Sequence, residues 1–171
     1  MKILMVSSDY LPNPGGISGH VYELSRELAE LGHEVDLIVG HNEIHSHLDT
    51  SPLPENAKII ENISFPWTYR GYIGYIRKVS ALIQKAEKIK NYDLIHWHNL
   101  TWETLAIRKS KTSLPKIFTN HSSGFLRRMK VKWRKTLQMP WILGHADWII
   151  TPSQELLDQS IDAKYPSEQL T

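Results

Sequence analysis

The stretch MKILMVSSDYLPNPGGISGHVYELSRELAELGHEV, residues 1–35, constrains the fold more than any other part of the chain. Lys2 to Ser7 is a short apolar run without alternation, the pattern of a parallel strand covered on both faces. The segment that follows holds Asp9, Pro12, Asn13, Pro14, Gly15 and Gly16 and cannot continue that strand. Helical spacing then begins, with Val21, Leu24, Leu28 and Leu31 expected inward and Glu23, Arg26, Glu27 and Glu30 mostly outward. Gly32 is placed to end this helix, and Glu34 to Val39 reads as a second strand.

The rest of the chain repeats that plan. Strands are expected at Lys58 to Ile63, Tyr92 to Trp97, Pro115 to Thr119 and Asp147 to Thr151. A helix from Tyr72 to Lys90 turns Ile76, Val79, Ile83, Ala86 and Ile89 inward, and a short one covers Trp102 to Ser110. Pro152 and Ser153 open a last helix with Leu156, Leu157 and Ile161 inward, and Tyr165 to Thr171 is a polar end. Six strands alternating with helices predict an α/β fold: a single Rossmann-like, doubly wound parallel sheet in three layers, with strand order 3-2-1-4-5-6.

Composition narrows the function classes. At 171 residues the chain is one domain with room for a proper core. Hydrophobic and charged fractions of 41% and 22% are those of a globular protein and not of a disordered one. A formal charge of +2 gives no nucleic-acid reading, and no apolar stretch approaches the roughly 18 residues that would span a bilayer. The first apolar run is soon followed by Asp9, which makes it a strand and not a signal peptide. With no cysteine, disulfides and thiolate metal sites are excluded, and a cytoplasmic location is compatible.

Gly15 and Gly16 sit where a loop after a strand meets a helix N-terminus, whose free N–H groups favour an anion. They would let a phosphate or a sugar hydroxyl approach the backbone, or they only make a tight turn. The spacing Gly15-Gly16-x-x-Gly19 is not a dinucleotide fingerprint, and Val39-Gly40-His41 lacks the acid that would bind a ribose. A P-loop motif is absent as well.

Histidines supply the other candidates. His98 and Asn99 fall at the carboxyl edge of the fourth strand, where open α/β sheets bind ligands, although a buried structural histidine is the alternative. Asn120, His121, Ser122, Ser123 and Gly124 follow the fifth strand and form the best candidate for a catalytic cleft, against a histidine that merely caps the next helix. His20 lies one helix turn past the glycines, as a cleft residue or a surface one. His41, His45 and His47 in a polar loop, and the pair His96 and His98 on one side of a strand, lack the further ligands that a metal centre needs, so no metal is expected. Two further stretches invite contact. Phe65 to Tyr72 clusters aromatics around Arg70, and Phe125, Met129, Trp133, Leu137 and Trp141 form an apolar stripe among Arg127, Arg128, Lys130, Lys132, Arg134 and Lys135. The stripe is expected to pack on the sheet, leaving a basic face suited to an anionic membrane surface.

The opening PGGISGHVYELSRELAELGHEVDLIV resembles that of the retaining, nucleotide-sugar-dependent glycosyltransferases of family four, which have the two-domain GT-B fold. YDLIHWHN at 92–99, FTNHSSG at 118–124 and HADWIITPSQEL at 145–156 fit the same family, in the same order. The resemblance implies that residues 1–171 are an N-terminal, acceptor-side domain, with the C-terminal donor-binding domain absent. It also implies transfer of a sugar from a nucleotide diphosphate sugar to a sugar or lipid-linked acceptor hydroxyl with retention, by a chain inactive alone. His121 would be the catalytic residue that faces the transferred sugar, with Gly15, Gly16, His20, His98 and Asn120 binding substrate. No metal or other cofactor is implied. The alternatives are a non-catalytic subunit or membrane-surface module that docks a separate catalytic domain, and a nicotinamide-binding protein, disfavoured by the glycine spacing.

Overall fold

The computed structural model describes residues 1–42, 44, 52–121 and 123–171. Its centre is a six-stranded sheet built from β1 (Lys2–Ser7), β2 (Glu34–Asn42), β3 (Ala57–Phe65), β4 (Leu94–Trp97), β5 (Lys116–Thr119) and β6 (Trp148–Ile150). The strand order is β3-β2-β1-β4-β5-β6 and every pairing is parallel, as expected of the doubly wound fold. Parallel neighbours require crossovers, here α1 (Gly16–Glu30), α2 (Tyr69–Ile89), α3 (Trp102–Ser110) and α4 (Ser123–Met129) with α5 (Met139–Leu143). Helix α6 (Gln154–Asp162) follows β6. One core lies under α1, around Met5, Val21, Leu37 and Val39. The larger one, around Val6, Ile38, Ile83, Ile95, Trp97 and Phe118, lies under α2, α3 and α5.

The helices bury part of the lines expected of them, Val21 in α1, Val79, Ile83 and Ala86 in α2 and Leu156 in α6, and depart from the rest. In α1 the buried residues are Ser18, Val21, Ser25 and Ala29, Leu24 and Leu28 flank them half-buried, and Leu31 is 73% exposed. Small side chains let the helix axis approach the sheet, and the Ser25 hydroxyl is satisfied by the Val21 carbonyl at 2.6 Å. In the same way α2 buries Tyr75 and Ser80 and exposes Ile89, while α6 buries Ser160 and exposes Ile161. Gly32 does end α1: its φ is +85°, and the amides of Gly32 and His33 donate to Ala29 and Leu28.

Segment 125–141 departs most. Phe125 and Met129 are buried, but Trp133, Leu137 and Trp141 are 55%, 69% and 41% exposed. A four-residue spacing advances about 40° per step on an α-helix, so a stripe that starts inward ends outward after three steps. The helix is also interrupted, with a π-helical turn at Arg134–Gln138, and Met139, Ile142 and Leu143 take over the inner positions.

Strand β2 runs on to Asn42, so His41 is a buried strand residue bonded through Nδ1 to Asn62 Oδ1 at 2.7 Å and not part of a loop. His45 and His47 lie outside the described residues. The segment read as a polar end folds back along β6. Leu170 bridges to Ile149, the Thr171 amide donates to Ile149, and the buried Tyr165 hydroxyl donates to the Ala146 carbonyl at 2.9 Å.

Candidate functional site

The carboxyl ends of β1, β4 and β5 are adjacent because the strand order makes them so. Chain leaving β1 is tied down at several points. Ser7 Oγ donates to Asn99 Oδ1 at 3.1 Å, and the Ser8 amide donates to Glu103 Oε1 at 2.5 Å. Asn13 donates to Asp9 Oδ1 at 3.2 Å, and the Ser18 hydroxyl donates to the Asn13 carbonyl at 2.6 Å. Gly15 takes φ +156°, a conformation that side-chain-bearing residues rarely adopt, and it precedes α1 without a side-chain cap. A Cβ built on Gly16 would meet nothing within 4 Å. The first turn of α1 is thus open at its N–H end, with the Asp9 carboxyl beside Gly15.

His20 projects from this turn toward the ends of β4 and β5. Its ring centroid is 4.3 Å from that of His121 and 5.6 Å from that of His98. His98 Nδ1 stands 3.4 Å from His121 Nε2. His98 is 1% exposed, His121 is half-buried and His20 is exposed, so the three imidazoles step from the interior to the surface. Below them, His96 Nε2 bonds to Thr119 Oγ1 at 2.8 Å, with its ring 4.4 Å from that of His98. Asn120 is fully buried, its backbone N–H donating to the Ile150 carbonyl at 2.9 Å.

Electrostatics keep these imidazoles neutral. Burial, reinforced by the neighbouring rings, lowers His121 to about 4 and His96 to about 3, and lowers His98 well below its ordinary value. Burial lowers His20 too. On the other side of the β1 loop, burial raises the Glu103 carboxyl to about 7, the Ser8 amide pulling the other way. Tyr75, wholly buried, has its phenol raised by burial and by Glu103. Neutral imidazoles beside backbone amides can donate and accept hydrogen bonds with hydroxyl groups without carrying charge into the cleft.

The residues singled out in the sequence therefore converge: Gly15, Gly16, His20, His98, Asn120 and His121 share one edge. The aromatic stretch borders it. Thr68 caps α2 by accepting from the Gly71 amide at 3.2 Å, so the helix starts three residues earlier than expected, and Tyr72 stacks on Trp102 with centroids 4.6 Å apart. Phe65 is buried against Tyr75, whereas Trp67 and Tyr69 are exposed. Sequence reasoning missed Glu103, a buried acid on a helix otherwise read only for its length. It grouped His20, His98 and His121 in one cleft only through the family resemblance; the strand order, which places β1, β4 and β5 side by side, was the independent signal for their meeting.

The model of Glycosyltransferase Family 4 matches residues 14–171. Over 150 residues the chain is 29% identical to one of the subunits of phosphatidylinositol N-acetylglucosaminyltransferase from Arabidopsis thaliana, covering 81% of this chain and 31% of that protein. Among solved structures, sucrose-phosphate synthase from Thermosynechococcus elongatus superposes with a TM-score of 0.72 at 17% identity, over 99% of this chain and 47% of that one. HepE of Anabaena, in complex with UDP and glucose, gives 0.60 at 18% identity, over 100% and 43%. The chain thus spans about a third of the curated relative and under half of these structures, and its sheet is that of a GT-B Rossmann-like domain. On the family match across nearly its whole length, the chain belongs to glycosyltransferase family 4.

Proposed function

We propose that this chain is the N-terminal, acceptor-side half of a retaining glycosyltransferase, and that it transfers sugar only with a donor-binding domain. The observation that carries the reading is the meeting of His20, His98 and His121 with the open N-terminus of α1 at one sheet edge. Transfer from a nucleotide diphosphate sugar needs donors and acceptors for sugar hydroxyls and a place for negative charge. Neutral His121 at the half-buried position suits contact with the transferred sugar; Gly15, Gly16 and the first turn of α1 suit a phosphate or hydroxyl. His20, His98 and Asn120 complete the wall. The HepE structure, which holds UDP and glucose, supports a nucleotide-sugar donor.

The acceptor is read as lipid-linked and the chain as a cytoplasmic protein at the membrane surface. No helix among the described residues is long and apolar enough to cross a membrane. Trp133, Leu137 and Trp141 face outward beside exposed Arg127, Lys130 and Lys132, a composition that binds anionic bilayer surfaces. A non-catalytic subunit that docks a separate catalytic domain is the second reading, favoured by the relative's name, which makes it one part of a larger assembly.

The test is sugar transfer by this chain joined to a donor-binding domain, with the anomeric configuration of the product read by NMR. His121→Ala is expected to lower kcat/KM by about 10²-fold, the scale of one lost transition-state hydrogen bond. Robust transfer by the chain alone, or an inverted product, would overturn the reading.

A further inference from the structure

We propose that His20, His98 and His121 form a three-imidazole binding site for a borderline-soft divalent cation such as Zn²⁺. One nitrogen from each ring lies within 4.8 Å of the others, and the three come from separate elements: the first turns of α1 and the ends of β4 and β5. At Zn–N distances of about 2.0–2.1 Å, tetrahedral coordination sets ligand nitrogens about 3.4 Å apart. The His98 Nδ1 to His121 Nε2 separation is already 3.4 Å, long for a hydrogen bond and right for two ligands of one ion. His20 stands on an exposed helix face, where rotation about its side-chain bonds closes the remaining gap of at most about 1.4 Å without moving the backbone.

A second observation concerns His98. It is 1% exposed, yet its Nε2 has no hydrogen-bond partner among the described residues, and its Nδ1 has only the long contact to His121. A buried imidazole so weakly bonded is costly, and a cation on the cluster side would take up the Nδ1 lone pair, fixing the ring proton on Nε2. By contrast, His96 is committed to Thr119 and His41 to Asn62, so neither competes. The donor set is all nitrogen, which selects Zn²⁺, Co²⁺, Ni²⁺ or Cu²⁺ over Mg²⁺ or Ca²⁺. Three protein ligands leave a fourth position facing solvent beside exposed His20. The inference stands on the imidazoles and not on the transferase reading. Where that reading holds, a bound cation would occupy the cleft wall and compete with the sugar.

Chelator-buffered Zn²⁺ titration and Co²⁺ visible absorption of the full chain test it. The background carries His33→Ala, His45→Ala and His47→Ala, because His33 lies 3.3 Å from the terminal amine and the other two are loop histidines in the sequence. Expected are one ion per chain, a tetrahedral Co²⁺ spectrum, and affinity at least about tenfold weaker in both His20→Ala and His121→Ala. Zn²⁺ should raise the melting temperature of the background chain more than that of these variants, whose cooperative melts also report that each is folded. Absence of binding up to millimolar Zn²⁺, an octahedral Co²⁺ spectrum, or affinity unchanged in either variant would overturn the site.

Discussion

Two opposed groups of titrating side chains flank the loop after β1. The folded-state values of His96, His98 and His121 are depressed below the ordinary 6.5, so the stability that depends on their neutrality is complete above pH 6.5 and lost as pH falls toward 4 and 3. Glu103 is raised from 4.5 to about 7, so its contribution is complete below pH 4.5 and lost as pH rises through 7. Each group changes stability by at most about 1.4 kcal/mol per pH unit, and three histidines outweigh one carboxyl. Denaturant melts should therefore show net loss of stability between pH 6.5 and 4.5. Replacing Glu103 with glutamine keeps an acceptor for the Ser8 amide and removes the ionisation. E103Q should then be more stable than the parent at pH 8, by up to about 3 kcal/mol, and should fall more steeply on acidification. An E103Q chain less stable than the parent at pH 8 would show that the carboxylate, and not the neutral acid, is the form the fold holds. The part of Glu103 was not legible in the sequence, because burial at position 103 comes from the β1 loop folding over α3, a contact 95 residues apart.

Among the elements, the order and nature of the strands were legible because short apolar runs between turn residues leave little choice. Helix faces were less so. Reading large apolar residues as the inward line fails where Ser18, Ser25, Ser80 or Ser160 takes the closest position to the sheet and pushes leucines and isoleucines to the flanks. The segment from Phe125 to Trp141 shows the same limit from sequence spacing alone, since a period of four does not hold one face of an α-helix. Its two ends should respond oppositely to substitution. Phe125→Ala empties a wholly buried position and should cost about 3–5 kcal/mol in denaturant melts. Trp133→Ser with Leu137→Ser removes exposed side chains and should leave stability within about 0.5 kcal/mol per site. The same double variant should lose most co-sedimentation with vesicles containing phosphatidylglycerol, while neutral vesicles bind neither chain. Retained binding would move the basic, tryptophan-bearing surface out of any membrane role.

At the scale of the molecule the sheet separates labour between its two ends. The carboxyl end gathers the open start of α1 and the histidines; the amino end holds an ion-pair lock. Asp36, 4% exposed on β2, accepts from the Tyr92 hydroxyl at 2.7 Å and from Lys90 Nζ at 3.0 Å, and Lys90 also reaches Glu34 at 3.1 Å. Burial works against the Lys90 charge, but its bonds to Asp36 and Glu34 outweigh that and raise its value. This joins the foot of β2 to the chain between α2 and β4, so it fixes the inner strands in register without touching the cleft. Asp36→Ala would leave the Tyr92 hydroxyl unbonded and Lys90 with Glu34 alone. The cost is that of a broken, mostly buried pair, about 2–4 kcal/mol, or a melting temperature lower by about 10 °C for a chain of this size. Zn²⁺ affinity, and sugar transfer in a two-domain assembly, should be unchanged per folded molecule at temperatures well below that melt. Calorimetry paired with a titration at about 10 °C, near the usual temperature of maximum stability, separates the two effects. A drop in either functional readout without a matching loss of folded chain would mean that the two ends of the sheet are coupled, and that the histidine edge is not set by β1, β4, β5 and α1 alone.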